Sequence, residues 1–101
     1  MTDPLLELLD FHSHLSMMRI VWTDFLREAV RDLECTPRVT SWVRSPEHNA
    51  AVGGLPNSKH LTGDAIDVVW TPLPSRDAVA AFCARHGVRL VREHDHDHFQ
   101  F

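Results

Sequence analysis

The sequence predicts an α+β domain, N-terminal helices packed on a small, mostly antiparallel sheet, and three observations carry that expectation. Apolar residues recur every three or four positions between Met18 and Leu33, the period of a helix with one buried face. From Pro37 the texture changes to short β-branched runs broken by Gly, Pro and Asn, the pattern of strands and turns. At the end, His96, His98 and Gln100 alternate with Asp97, Phe99 and Phe101 in the two-residue period of a strand. At 101 residues and 11.6 kDa the chain is long enough for one core. Residues 1–101 therefore read as a single domain, with a helical part over 1–36 and the remainder over 37–101.

The elements follow in order. Asp3 before Pro4 is an N-cap with proline at the first helical position, opening a short apolar helix through Leu5, Leu6, Leu8 and Leu9. Met18, Trp22, Phe25, Leu26, Ala29, Val30 and Leu33 paint one face of a second helix, from Ser16 to Glu34. Arg38 to Val43 is a strand, followed by a turn-rich stretch to Ser58 and a second strand from Ala65 to Trp70. Ser75 to His86 regains helical spacing and is closed by Gly87 as a C-cap. Val88 to Arg92 and His96 to Phe101 form a hairpin turning at Glu93 to Asp95.

Composition narrows the function classes. With 44% hydrophobic and 24% charged residues the chain is an ordinary globular one, without an apolar run long enough to cross a bilayer. A formal charge of -4 leaves no basic excess to neutralise a phosphate backbone, so nucleic acid is not an expected partner. Cys35 and Cys83 are isolated and read as two buried thiols rather than a zinc knuckle or disulfide framework. The acidic start, with Asp3, Glu7 and Asp10, has the wrong sign for a secretory signal, so the expectation is synthesis in the cytoplasm without a signal peptide.

Eight His residues, clustered towards the end, point to metal. His60 and Asp67 in SKHLTGDAID carry little alone, but Asp67 interrupts the apolar run Ala65 to Val69. A carboxylate inside a buried strand costs several kcal/mol unless a cation or strong donors face it. Strand alternation turns His96, His98 and Gln100 one way and Asp97, Phe99 and Phe101 the other, so the two Phe belong to the core and the two His line a cleft. His60, Asp67 and one of these His make the N and O set that zinc takes when a fourth position stays open, which is the arrangement of a catalytic site.

TSWVRSPEHNAAVGGLPNSKHLTGDAIDVV, together with the His-x-His of the last strand, resembles the M15 family of zinc D-Ala-D-Ala carboxypeptidases and peptidoglycan endopeptidases, especially its small phage and bacterial branch with a hedgehog-like metal site. The likeness runs from Val39 to Phe101. It implies a zinc cleft on one face of the sheet, with His60, Asp67 and His98 as ligands and His96 as an accessory hydrogen-bond donor. It implies that Arg44 binds the substrate carboxylate or the developing oxyanion, and that Ser58 orients substrate or a group behind the ligands. The general base falls to Asp95, three residues before His98, with Glu93, three before His96, as the alternative. Trp42, Lys59 and Asp64 depart from the usual residues at their positions, and Asp64 adds negative charge beside the metal loop. The bare helix Ser75 to Gly87 implies a shallow, open groove suited to a polymeric or cross-linked peptide.

The resemblance thus implies a monomeric zinc metallopeptidase that hydrolyses an amide in peptidoglycan stem peptides. Acting on the cell wall from a chain without a leader, it fits a phage lysis enzyme, an endolysin released by a holin. The rival expectation is an inactive M15-like module that holds zinc and binds cell-wall peptide or a protein partner. A structural zinc protein would instead need both His96 and His98 on the metal.

Overall fold

The computed structural model describes residues 3–101. Asp3 caps the first helix, accepting from the Leu5 amide at 2.9 Å, and Pro4 occupies the first turn. Where the sequence suggested two helices there is one, α1, Pro4–Leu33. The intervening Asp10 to Leu15 holds neither Gly nor Pro, so nothing interrupts the hydrogen-bond ladder and continuation is cheaper than a break. Met18, Trp22, Phe25 and Ala29 bury its core face. Its first turns run past the body, leaving Leu5, Leu6, Leu8 and Leu9 exposed. The helix ends at Glu34, which takes the left-handed conformation.

The sheet has four antiparallel strands in the order β1-β2-β4-β3: β1 Thr36–Ser41, β2 Ala65–Thr71, β3 Arg89–Arg92 and β4 Asp97–Gln100. β1 starts and stops two residues earlier than the Arg38 to Val43 read from sequence. As an edge strand it tolerates Pro37. A register shift between Val39 and Ser41 then turns Trp42 and Val43 out of the ladder. The stretch read only as turns contains a short helix, α2, Pro46–Ala51, whose Ser45 cap accepts from the His48 amide, and a single 3-10 turn over Lys59–Leu61. α3, Arg76–His86, sits between the caps Ser75 and Gly87 as expected, and Gly87 takes φ 65°.

α1 and α3 cover one face of the sheet. Trp22, Phe25, Phe82 and Phe99 meet there with neighbouring ring centroids 5.0 to 5.5 Å apart, and Ile66, Val68 and Trp70 complete the core. Cys35 and Cys83 are buried in it as free thiols. Phe99 is fully buried, but Phe101, also expected inside, lies past the end of β4 and is 45% exposed while still stacking on Trp22 at 4.8 Å. The other face of the sheet is left for the 44–63 segment, and the two enclose a cleft. Both indole N–H groups of Trp22 and Trp42 donate to the Gly63 carbonyl, at 2.9 and 2.8 Å, which ties α1 to the loop carrying His60.

Candidate metal centre

The register of the sheet brings the expected ligands together. Asp67 pairs with His98 across β2 and β4, so both side chains stand on the cleft face. His60 approaches from the 3-10 turn, whose cap Ser58 accepts the His60 amide at 3.2 Å. Asp67 Oδ1 lies 3.2 Å from His60 Nε2 and 2.9 Å from His98 Nδ1. The candidate ligand atoms of these three residues all lie within 4.8 Å of one another.

Hydrogen bonds behind the ligands decide which ring nitrogens are free. His60 Nδ1 lies 2.7 Å from the Trp42 carbonyl, which only accepts, so Nδ1 carries the hydrogen and Nε2 presents its lone pair. His98 Nε2 donates to Gln100 Oε1 at 2.8 Å, which leaves Nδ1 for the centre. Two imidazole lone pairs and a carboxylate then converge on one point. Three acceptors repel one another unless a cation or protons lie between them, and N, N and O donors of this kind suit zinc. The residues fit the metal. His60, Asp67 and His98 would hold it, and the remaining position would face the cleft.

Asp67 is nearly enclosed. Its burial alone would raise its pKa, but where protons rather than a cation lie between the three groups, hydrogen bonds from His60 and His98 and the nearby charges of His60 and His96 outweigh that and hold the carboxyl well below its ordinary value. The His98 pKa is raised by the hydrogen bond to Asp67, partly offset by burial.

Arg44 reaches the centre by a route the sequence did not suggest. Its Nη2 donates to Asp67 Oδ2 at 3.1 Å, its Nε to Ser41 Oγ at 3.2 Å and its Nη1 to Asn49 Oδ1 at 3.4 Å. Three N–H groups are thus turned onto the protein. By taking Oδ2, Arg44 leaves Oδ1 to the histidines. Asn49, buried on α2, donates in turn to the Leu55 carbonyl at 2.7 Å and so fixes the loop beside the cleft.

The cleft, roughly 550 Å³, is lined by Arg44, Ser58, Lys59, His60, Asp67, Arg89, Val91, Glu93, His96, His98 and Gln100 among others. Glu93 is on this wall. Asp95 is not: its side chain is 74% exposed and accepts from His96 Nδ1 at 2.7 Å, a bond that holds its carboxyl below the ordinary value. The turn joining β3 and β4 runs from Glu93 to His96. The Glu93 amide donates to the His96 carbonyl at 2.8 Å, and Asp95 is swung outward at its tip. His96 lines the cleft with Nε2 3.7 Å from Asp67 Oδ1, behind the closer His60 and His98 nitrogens. Asp64 spends its charge on His14 at 2.8 Å and on the Thr62 hydroxyl at 2.6 Å, facing α1 and not the cleft.

The support that Trp42 gives the site escaped the sequence reading. Trp42 holds His60 with its carbonyl and Gly63 with its indole, and nothing local in the sequence marks that double use. Asp97, which strand alternation had placed on the core side of β4, is 1% exposed and accepts from Arg92 Nε and Nη2 and from the Trp70 indole at 2.7 to 2.8 Å. An acid alternating with the two His and an Arg five residues earlier were its only signal.

The family model described as Peptidase M15 matches residues 19–100. No curated protein and no solved structure gives a significant match.

Proposed function

The chain belongs to the M15 peptidase family, and from that premise we propose that it is a zinc-dependent peptidase hydrolysing an amide bond in peptidoglycan stem peptides. The observation that carries the reading is the convergence of His60 Nε2, Asp67 Oδ1 and His98 Nδ1, each turned inward by a partner behind it. A bound zinc ion supplies Lewis acidity, which polarises a carbonyl and acidifies water. The chain supplies the rest. Glu93, on the cleft wall beside His96, takes the proton from the attacking water and returns it to the leaving amine. His96 gives Nδ1–H to Asp95, which fixes the ring, and its Nε2, when protonated, donates to the oxygen on which charge develops. Arg44 keeps Asp67 oriented. The open cleft accommodates an extended peptide, and a cell-wall lysis enzyme is the biological setting that this substrate suggests.

Purified peptidoglycan treated with the zinc-loaded protein should release soluble peptide fragments, identified by mass spectrometry. His60→Ala should lose zinc and hydrolysis together. Glu93→Gln should keep zinc and lose at least about a hundredfold in turnover, as removal of a general base does. Asp95→Asn should change turnover far less. Failure of the zinc-loaded protein to cleave any stem peptide would leave the inactive binding module as the better reading; equal loss in Glu93→Gln and Asp95→Asn would return the base to open competition.

A further inference from the structure

Charge is unevenly distributed along the cleft. Arg89 and Val91 on β3 and Glu93 just past its end share the cleft wall, with Glu93 at the His96 end and Arg89 at the other. Arg89 is exposed and enters no ion pair among the described residues. It stands directly across from Gln100 on β4. Gln100 Oε1 is occupied by His98 Nε2–H at 2.8 Å, so what Gln100 has left to offer is its two amide N–H donors. A guanidinium and a carboxamide whose oxygen is turned to His98 make a wall rich in donors. Lys59, on the loop across the cleft, adds a second cation.

We propose that the Arg89 and Gln100 end of the cleft is a carboxylate subsite, one that selects peptides carrying a free carboxylate about two residues from the scissile amide. The proposal rests on the peptidase reading for its position relative to the cut. The spacing follows from the sheet. Val91 lies across from the ligand His98, and Arg89 is two residues further along β3, about 7 Å at the rise of a strand. An extended peptide covers that span in two residues. Arg44, the residue first expected to take the substrate carboxylate, is turned onto Asp67, Ser41 and Asn49 instead. A planar guanidinium beside an amide N–H pair suits a carboxylate through two or more charge-assisted bonds. In stem peptides such a group is either the C-terminal carboxylate or the α-carboxylate of a γ-linked glutamate.

Three synthetic stem peptides separate these sources: one with both carboxylates free, one amidated at the C-terminus and one amidated at the glutamate α-carboxyl. Binding of the three corresponding product fragments, measured by calorimetry, gives a readout independent of turnover. For the zinc-loaded wild type, one of the two amidations should raise KM and weaken product binding about tenfold or more. Arg89→Ala should erase that discrimination by weakening the free carboxylate form alone, with zinc content unchanged. Arg89→Lys should restore part of it, and Arg89→Glu should reverse the preference. The subsite is refuted if wild type and Arg89→Ala bind acid and amide fragments equally. Selective binding without any turnover would overturn the peptidase reading and leave the subsite standing.

Discussion

Asp97→Ala is the substitution whose consequences can be worked furthest. The carboxylate is 1% exposed and accepts three bonds, from Arg92 Nε at 2.7 Å, Arg92 Nη2 at 2.8 Å and the Trp70 indole at 2.8 Å. Its removal leaves the Arg92 guanidinium, 19% exposed, with one bond to the Pro74 carbonyl, and leaves a buried indole N–H without a partner. Breaking a buried ion pair from one side typically costs about 3–5 kcal/mol. The residual bond and partial exposure of Arg92 place this case near the lower end, about 3 kcal/mol. For a domain of this size that lowers Tm by about 12–24 °C. Urea denaturation of the zinc-free protein, followed by circular dichroism, measures it. Asp97→Leu combined with Arg92→Leu should recover much of the loss, because no charge is then stranded. A second readout is Cys83, whose thiol is pushed up to about 11, by burial first and by the Asp97 charge second. In the wild type it should resist alkylation, and in Asp97→Ala it should react as the core loosens. A loss below about 1 kcal/mol with an unchanged m-value would refute the assignment of Asp97 as the anchor of the β3 and β4 hairpin.

Removal of metal should destabilise the domain, since a ligand at a hundred times its Kd contributes about 2.7 kcal/mol; chelation should therefore lower Tm by about 11–22 °C, and an unchanged melting curve would count against the site. The metal-free protein should show a stability maximum at acid pH. The Asp67 pKa is lowered, so its contribution is present above the unfolded value of 3.8 and is lost as pH falls through the folded one. The His98 pKa is raised, so its contribution is present below 6.5 and is lost as pH rises through the folded value. Thermal melts without metal should thus be highest between about pH 4 and 6.5, while the increment from added zinc grows above that window as the ligands deprotonate; a metal-free profile that rises steadily to pH 8 would contradict the His98 and Asp67 pairing. Gly54→Ala would drive its Cβ into the Asn49 carboxamide, disturbing the bonds to Arg44 and to the Leu55 carbonyl; zinc affinity should fall, read by competition with a chromophoric chelator, whereas Gly53→Ala, with open space around its Cβ but φ 75°, should cost stability alone.

The strands and part of the candidate site were legible because their signals are local and periodic. Asp67 announced itself by breaking an apolar run; alternation with Phe99 offered His96 and His98 equally, and only the family resemblance chose His98. α3 was bounded correctly because Ser75 and Gly87 cap it through their own backbone preferences. What the sequence could not convey was which partner each polar group takes. Arg44 carries the same side chain whether it faces substrate or Asp67, and only the position of β1 against β2, with its register shift before Ser41, turns it onto the carboxylate. Asp95 and Glu93 differ in the same way: each stands three residues before a His and the family resemblance favoured Asp95, but the hydrogen bond from the Glu93 amide to the His96 carbonyl sets the turn and sends Asp95 outward.

Each candidate ligand histidine owes its free nitrogen to an acceptor elsewhere in the chain: the Trp42 carbonyl beyond the end of β1 for His60, and the Gln100 carboxamide two residues along β4 for His98. The Trp42 indole shares the Gly63 carbonyl with Trp22 of α1, so the long helix, the edge strand and the metal loop are held at one atom. Gly63 cannot yield there. Its φ is 80°, and a Cβ would lie 2.7 Å from Leu15 and 3.3 Å from the Trp42 indole. In a 101-residue chain with a single core, the lone pairs of the centre are therefore set by the same packing that holds α1 to the sheet. A substitution that loosens α1 at Trp22 should weaken metal binding although Trp22 belongs to the core and not to the ligand set.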